Sequence, residues 1–167
     1  QIILRTISAS AGLGINKDDI QKLREKDAEQ LTSAALDAEK SLSLALVFFR
    51  DRIGVRDFSY IPYGIRLTYL AEFFRLNPTP TPDRINQLIA WFWFTSATRY
   101  FGASTNTEQV SKDIASLRSF ALGRTNRLFE ISEIDISQLL YDKFNLRNAT
   151  TTTFTLLLNH ESPAVTI

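Results

Sequence analysis

Arginine beside hydroxyls and loop amides is the chemistry best suited to gripping phosphate oxygens, because the planar guanidinium offers several charge-assisted donors at once. The sequence gathers arginines at Arg50, Arg52 and Arg56, and again at Arg118, Arg124 and Arg127 within RSFALGRTNR. Gly123 and Thr125 place the second group at a helix end and loop, which makes it the better candidate for a DNA contact. Both groups have acidic neighbours (Asp51, Asp57, Glu130), so a plain solvated face is the competing reading.

Other chemistry has few carriers. The chain has no cysteine, which removes disulfides, thiolate metal sites and cysteine nucleophiles, and fits a reducing cytoplasm. His160 is the only histidine, so a multi-histidine metal site and a histidine-based catalytic network within the chain are set aside. In LLLNHESP it reads as a helix-end cap or dipole partner. The carboxylates are scattered, without a pair set up for acid–base work. Gly12-Leu13-Gly14 lacks the third glycine and the Lys-Ser/Thr that a phosphate loop requires. No catalytic residue, metal site or cofactor is expected in this chain.

The elements that must position the arginines are helical. With 167 residues, 44% of them hydrophobic, and a net charge of +1, the chain is long enough for one domain with a real core and carries no global field toward nucleic acid. Its longest apolar runs, Leu44–Phe49 and Leu88–Phe94, are too short to span a bilayer, so no membrane partner is expected. No secretory signal opens the chain. The absence of methionine, with Gln1 first and SPAVTI last, predicts an excised piece of a longer protein.

A stripe at Leu31, Ala34, Ala35, Ala38, Leu42, Ala45, Leu46 and Phe49 predicts a spine helix over about 27–53, stopped by Gly54. Gly12 and Gly14 break an earlier helix, and Asn16 with Asp18 and Asp19 starts a short one. Pro62 opens a helix through Leu76 that is apolar around nearly its whole circumference and hence buried. Thr81 as N-cap and Pro82 at the first position start another over 82–101. Val110, Ile114, Leu117 and Ala121 mark an amphipathic helix ended by Gly123, with Glu108 and Lys112 as an exposed pair. Asp135 can cap a helix near 136–143. Around 145–160 the threonines favour strand locally, but no partner strand of comparable strength exists, so helix is expected. The fold expected is all-α: an irregular multi-helix bundle, a single domain built on the spine and the buried helix pair.

The segment WFWFTSATRYFGAST carries both tryptophans. On a helix Ile85, Leu88, Ile89, Phe92 and Ser96 share one face, with Trp91 and Trp93 on its flanks, so core packing is expected for the aromatics. Arg99 follows on the same face and needs an anion or an escape to solvent; Asp113 is the partner expected, for a structural pair or a ligand site.

This same region resembles the bacterial proteins of domain-of-unknown-function family 262, the GmrSD-type restriction proteins. The resemblance falls on Trp91-Phe92-Trp93, Thr95-Ser96, Arg99-Tyr100, the Gly102–Asn106 loop and Asp113. Upstream, Pro62-Tyr63 and Leu70–Phe74 are similar to the family's Pro-Tyr and Leu-Ala-x-Phe-Phe segments; downstream, FNLRNATTTTFTLLLNHESP is similar to its late helix. It implies a protein acting on foreign or modified DNA, with an N-terminal ParB/sulfiredoxin-like domain that binds nucleotide and often an HNH nuclease domain. The Asp-Gly-x-x-Arg hallmark and a histidine-rich nuclease motif are both missing here, so the family's catalytic residues have no positions to land on. The expectation is a non-catalytic helical module that scaffolds the rest of its own chain and touches DNA through Arg118, Arg124 and Arg127, any nucleotide belonging to the parent protein. The alternative is a module for protein interaction or homo-oligomerisation without nucleic-acid contact.

Overall fold

Small residues on one line of a long helix set the architecture. The computed structural model describes residues 1–55, 57, 60–102, 106–129 and 149–161. Among them all regular structure is helical: α1 (Ile2–Ser10), α2 (Lys17–Gln21) running into a 3-10 turn (Lys22–Glu25), α3 (Ala28–Phe48), α4 (Ile65–Leu76), α5 (Pro82–Ala97), α6 (Thr107–Ala121) and α7 (Ala149–Glu161). Asp27 caps α3 by accepting from the Gln30 amide at 2.8 Å. The buried line of α3 is Ala34, Ala38, Ser41, Ala45 and Phe48, and its small side chains admit α1 and α4 on the same face. Ala35 of the expected stripe is exposed, and Leu31, Leu42 and Leu46 lie half-buried on the flanks. The spine also changes pitch earlier than expected. Phe49–Ile53 form a wider π-type turn that ends at Gly54, whose φ of 81° uses glycine's freedom.

α4 is the centre of the bundle and packs against α1, α3 and α6. Its nine residues from Arg66 to Phe74 are all buried, as apolarity around the circumference predicts. It starts at Ile65 and not at Pro62, because Tyr63 adopts a left-handed φ of 60° and breaks the helical path just ahead of Gly64. Rings tie α4 to its neighbours: Phe74 meets Phe48 of α3 at 5.9 Å, Phe73 meets Phe120 of α6 at 5.8 Å, and Tyr69 stacks on Trp91 of α5 at 5.9 Å.

α7 runs through the threonines that locally favour strand. Thr150, Thr151, Thr152 and Thr153 are buried, and the hydroxyls of Thr153 and Thr155 donate to the carbonyls of Ala149 and Thr151. Bonding back four residues lets a buried threonine satisfy its hydroxyl without leaving the helix. The expected helix near 136–143, positions 145–148 and the His160 side chain lie outside the described residues. No described helix is long and apolar enough to cross a membrane.

Candidate functional site

The aromatic segment is packing, as its periodicity predicts, and its polar streak is spent on the backbone. Trp91 and Phe92 are buried, and Trp93 is half-buried with its ring 5.1 Å from that of Phe92. Thr95, Ser96 and Thr98 donate their hydroxyls to the carbonyls of Trp91, Phe92 and Phe94 at 2.7 to 2.8 Å. α5 then stops at Ala97, four residues before the expected end at 101. The Arg99 amide bonds to Ser96 and the Tyr100 amide to Thr95, with Arg99 itself at a φ of 54°. This is the left-handed helix stop that usually takes glycine, as Gly12 and Gly123 do after α1 and α6.

That stop takes Arg99 off the apolar face and delivers Tyr100 in its place. Tyr100 Oη donates to Asp113 Oδ1 at 2.9 Å, and Gln109 Nε2 reaches the same oxygen at 2.8 Å. Tyr69 Oη approaches Asp113 Oδ2 at 3.5 Å. Among the described residues no ion pair joins Arg99 to Asp113; the expected partner is replaced by two tyrosines and an amide. Burial, and then the Asp113 carboxylate, push the Tyr100 phenol up to about 12 and the Tyr69 phenol further still. The cluster lines a cavity of about 320 Å³ between α4, α5 and α6, walled by Trp91, Phe94 and Phe129.

The three arginines of RSFALGRTNR separate. Arg118 Nε lies 2.6 Å from Glu72 Oε1 and its Nη2 donates to the Leu13 carbonyl at 2.8 Å. Glu72 is fully buried and also takes a two-pronged contact from Arg75, at 2.8 and 3.0 Å. Arg118, partly exposed, is therefore tied to a buried carboxylate, a structural role that the DNA expectation did not include: a buried carboxylate requires its cations. Arg124 and Arg127 are exposed. Their loop is pinned from α5, where the Gln87 side chain donates to the Asn126 carbonyl at 2.8 Å and accepts from the Leu128 amide at 3.1 Å. Arg84 donates to the Phe120 carbonyl and Asn77 to the Ala121 carbonyl, so polar side chains close the negative end of α6. Arg127 then borders an open groove of about 670 Å³ whose wall mixes Ser116, Ser119, Thr125 and Asn126 with the apolar Ala115, Leu128 and Phe129.

The other basic group fares less well. Arg50 is taken by its neighbour Asp51 at 2.6 Å in full solvent, Arg52 is exposed, and Arg56 lies outside the described residues. Gly12-Leu13-Gly14 is a structural turn whose carbonyls accept, Leu13 from Arg118 and Gly14 from Ser8. No group of three His, Asp or Glu residues among the described ones is placed to hold a metal ion.

Sequence reasoning misses Arg66. It sits in the first turn of α4 and is completely buried. Nη1 donates to the Pro62 carbonyl at 2.9 Å, while Nε and Nη2 have no acceptor. Among the described residues no carboxylate pairs with it; the rings of Tyr63, Phe92 and Phe101 lie beside it, with Cζ 5.0 to 5.5 Å from their centroids. Burial pushes the guanidinium down from 12.5 to about 9. One signal pointed to it: an arginine in a stretch expected to be buried on all sides must meet either an acid or a set of rings.

No family model, curated protein or solved structure matches this chain.

Proposed function

We propose that this chain is a non-catalytic helical module of a GmrSD-like restriction or phage-defence protein. It scaffolds the nucleotide-binding part of its own protein and meets DNA, where it does so, through Arg124 and Arg127. The observation that carries this reading is the convergence of the residues behind the resemblance. Tyr100 bonds to Asp113 at 2.9 Å, and Trp91 lines the same cavity. Three residues behind the resemblance, Trp91, Tyr100 and Asp113, thereby come together around one cavity. The exposed Arg127, beside the Ser116, Ser119 and Thr125 hydroxyls of its groove, supports a phosphate-backbone contact. The parent reading frame tests the assignment: an Asp-Gly-x-x-Arg segment upstream supports it, and its absence there removes the family reading.

A second reading, a helical interaction module without nucleic-acid contact, is favoured by the exposed Ile3 and Leu4 on α1, at 65% and 50% accessibility. Sedimentation velocity of the Ile3→Ser, Leu4→Ser double variant beside the parent chain tests it. Self-association that the double variant loses supports this reading.

A further inference from the structure

Separate from the DNA groove, a cavity of about 360 Å³ opens where α1, α4 and α6 meet. Arg5 of α1 lines it, together with Tyr63 and Gly64 at the start of α4, Phe101 after α5, and Asn106 and Thr107 at the start of α6. The positive ends of both α4 and α6 therefore face one space. None of the described lining residues is acidic. Arg5 Nε is buried and has no acceptor. Behind the wall stands the second cation, Arg66, fully buried, with Nε and Nη2 lacking acceptors and its Cζ 5.3 and 5.5 Å from the Tyr63 and Phe101 rings that form that wall. Buried donors without acceptors are costly, and the unmatched Arg5 nitrogen at this cavity, with the cationic Arg66 behind its wall, points to a missing anion.

We propose that this cavity binds a phosphoryl group, held by Arg5, steered by the ends of α4 and α6, and offset in charge by Arg66. Its size and open mouth admit a terminal phosphate, from a nucleotide or from free phosphate. It does not depend on the DNA reading, since none of its residues belongs to the Arg124–Arg127 loop.

The test is calorimetric titration of the whole chain with inorganic phosphate and, separately, with a nucleoside triphosphate, at ionic strength matched by chloride, alongside Arg5→Gln and Arg66→Met. Arg5 is only half-buried, so Arg5→Gln keeps the fold and carries the test independently of Arg66→Met. The expected result is saturable binding that chloride does not reproduce and that Arg5→Gln weakens about tenfold or more, the loss of one charged hydrogen bond. Tighter binding of the triphosphate identifies a nucleotide as the source, and comparable or weaker binding identifies free phosphate; both support the site. Absence of saturable binding to either probe, or affinity unchanged in Arg5→Gln, overturns it.

Discussion

Arg118 Nε lies 2.6 Å from Glu72 Oε1, joining α6 to α4 across 46 positions of sequence. With Arg75 on the other side, Glu72 is a buried carboxylate between two partly exposed arginines. Removing one member of such a set leaves a buried charge without its full complement. Glu72→Ala is expected to cost about 3 kcal/mol and Arg118→Ala about 2 kcal/mol, whereas Arg124→Ala and Arg127→Ala stay within about 0.5 kcal/mol. Urea denaturation of the four variants checks this ordering. An Arg118→Ala variant as stable as the Arg124→Ala variant contradicts the structural assignment of Arg118.

Arg66 leads to the opposite expectation. It is a buried cation with ring neighbours but no carboxylate among the described residues, so an unbranched apolar side chain of similar reach removes a desolvation cost and breaks no ion pair seen there. Arg66→Met is expected to be neutral or stabilising by about 1 kcal/mol in ligand-free buffer. Thermal unfolding decides: a large loss of stability means that the Pro62 hydrogen bond and the three rings stabilise the guanidinium more than burial penalises it.

Arg99 holds a left-handed backbone that a Cβ disfavours. Comparing Arg99→Gly with Arg99→Ala cancels the loss of the side chain and isolates the backbone. The glycine variant is expected to be more stable than the alanine variant by about 1 kcal/mol. Equal stabilities in denaturant melts argue against the left-handed stop after α5.

The Tyr100 phenol, raised to about 12 by burial and by Asp113, gives a pH signature. In the folded chain it keeps its proton in a range where the unfolded chain, near 10, has lost it. Its contribution to stability is therefore full below about 10 and falls away as pH rises toward 12. Tyr100→Phe is expected to be less stable by about 1 kcal/mol near neutral pH, with the gap to the parent closing on the alkaline side. Denaturant melts across that interval report it, and a gap independent of pH removes the Tyr100–Asp113 hydrogen bond from the account.

Much of the fold was legible because helical period and stop signals act locally. The α6 stripe, the Thr81-Pro82 start of α5 and the burial of α4 follow from side-chain spacing and caps alone. The Glu108–Lys112 pair, found at 2.7 Å, is a property of one helix surface and needed nothing further. The misses are long-range or depend on backbone sign. Nothing near Arg118 in sequence announces Glu72, so an arginine paired with a buried carboxylate looked like one free for DNA. Extending α5 to 101 put Arg99 on the apolar face, but a non-glycine residue took the left-handed turn and handed Asp113 to Tyr100. Arg66 was hidden by its neighbours: the apolar count that marked α4 as buried drew attention away from the charge inside it.

The central claim is that the exposed Arg124 and Arg127, and not Arg118, are the residues of RSFALGRTNR available to DNA. A duplex-DNA titration at low and moderate salt, run on the parent chain, the Arg124→Ala, Arg127→Ala double variant and Arg118→Lys, tests it most directly. The account predicts salt-sensitive binding that the double variant loses and Arg118→Lys retains, with the slope of log affinity against log salt reduced by roughly 2 when both arginines go. Binding undiminished in the double variant, or no binding by the parent chain at low salt, contradicts the DNA assignment and leaves the interaction-module reading in its place.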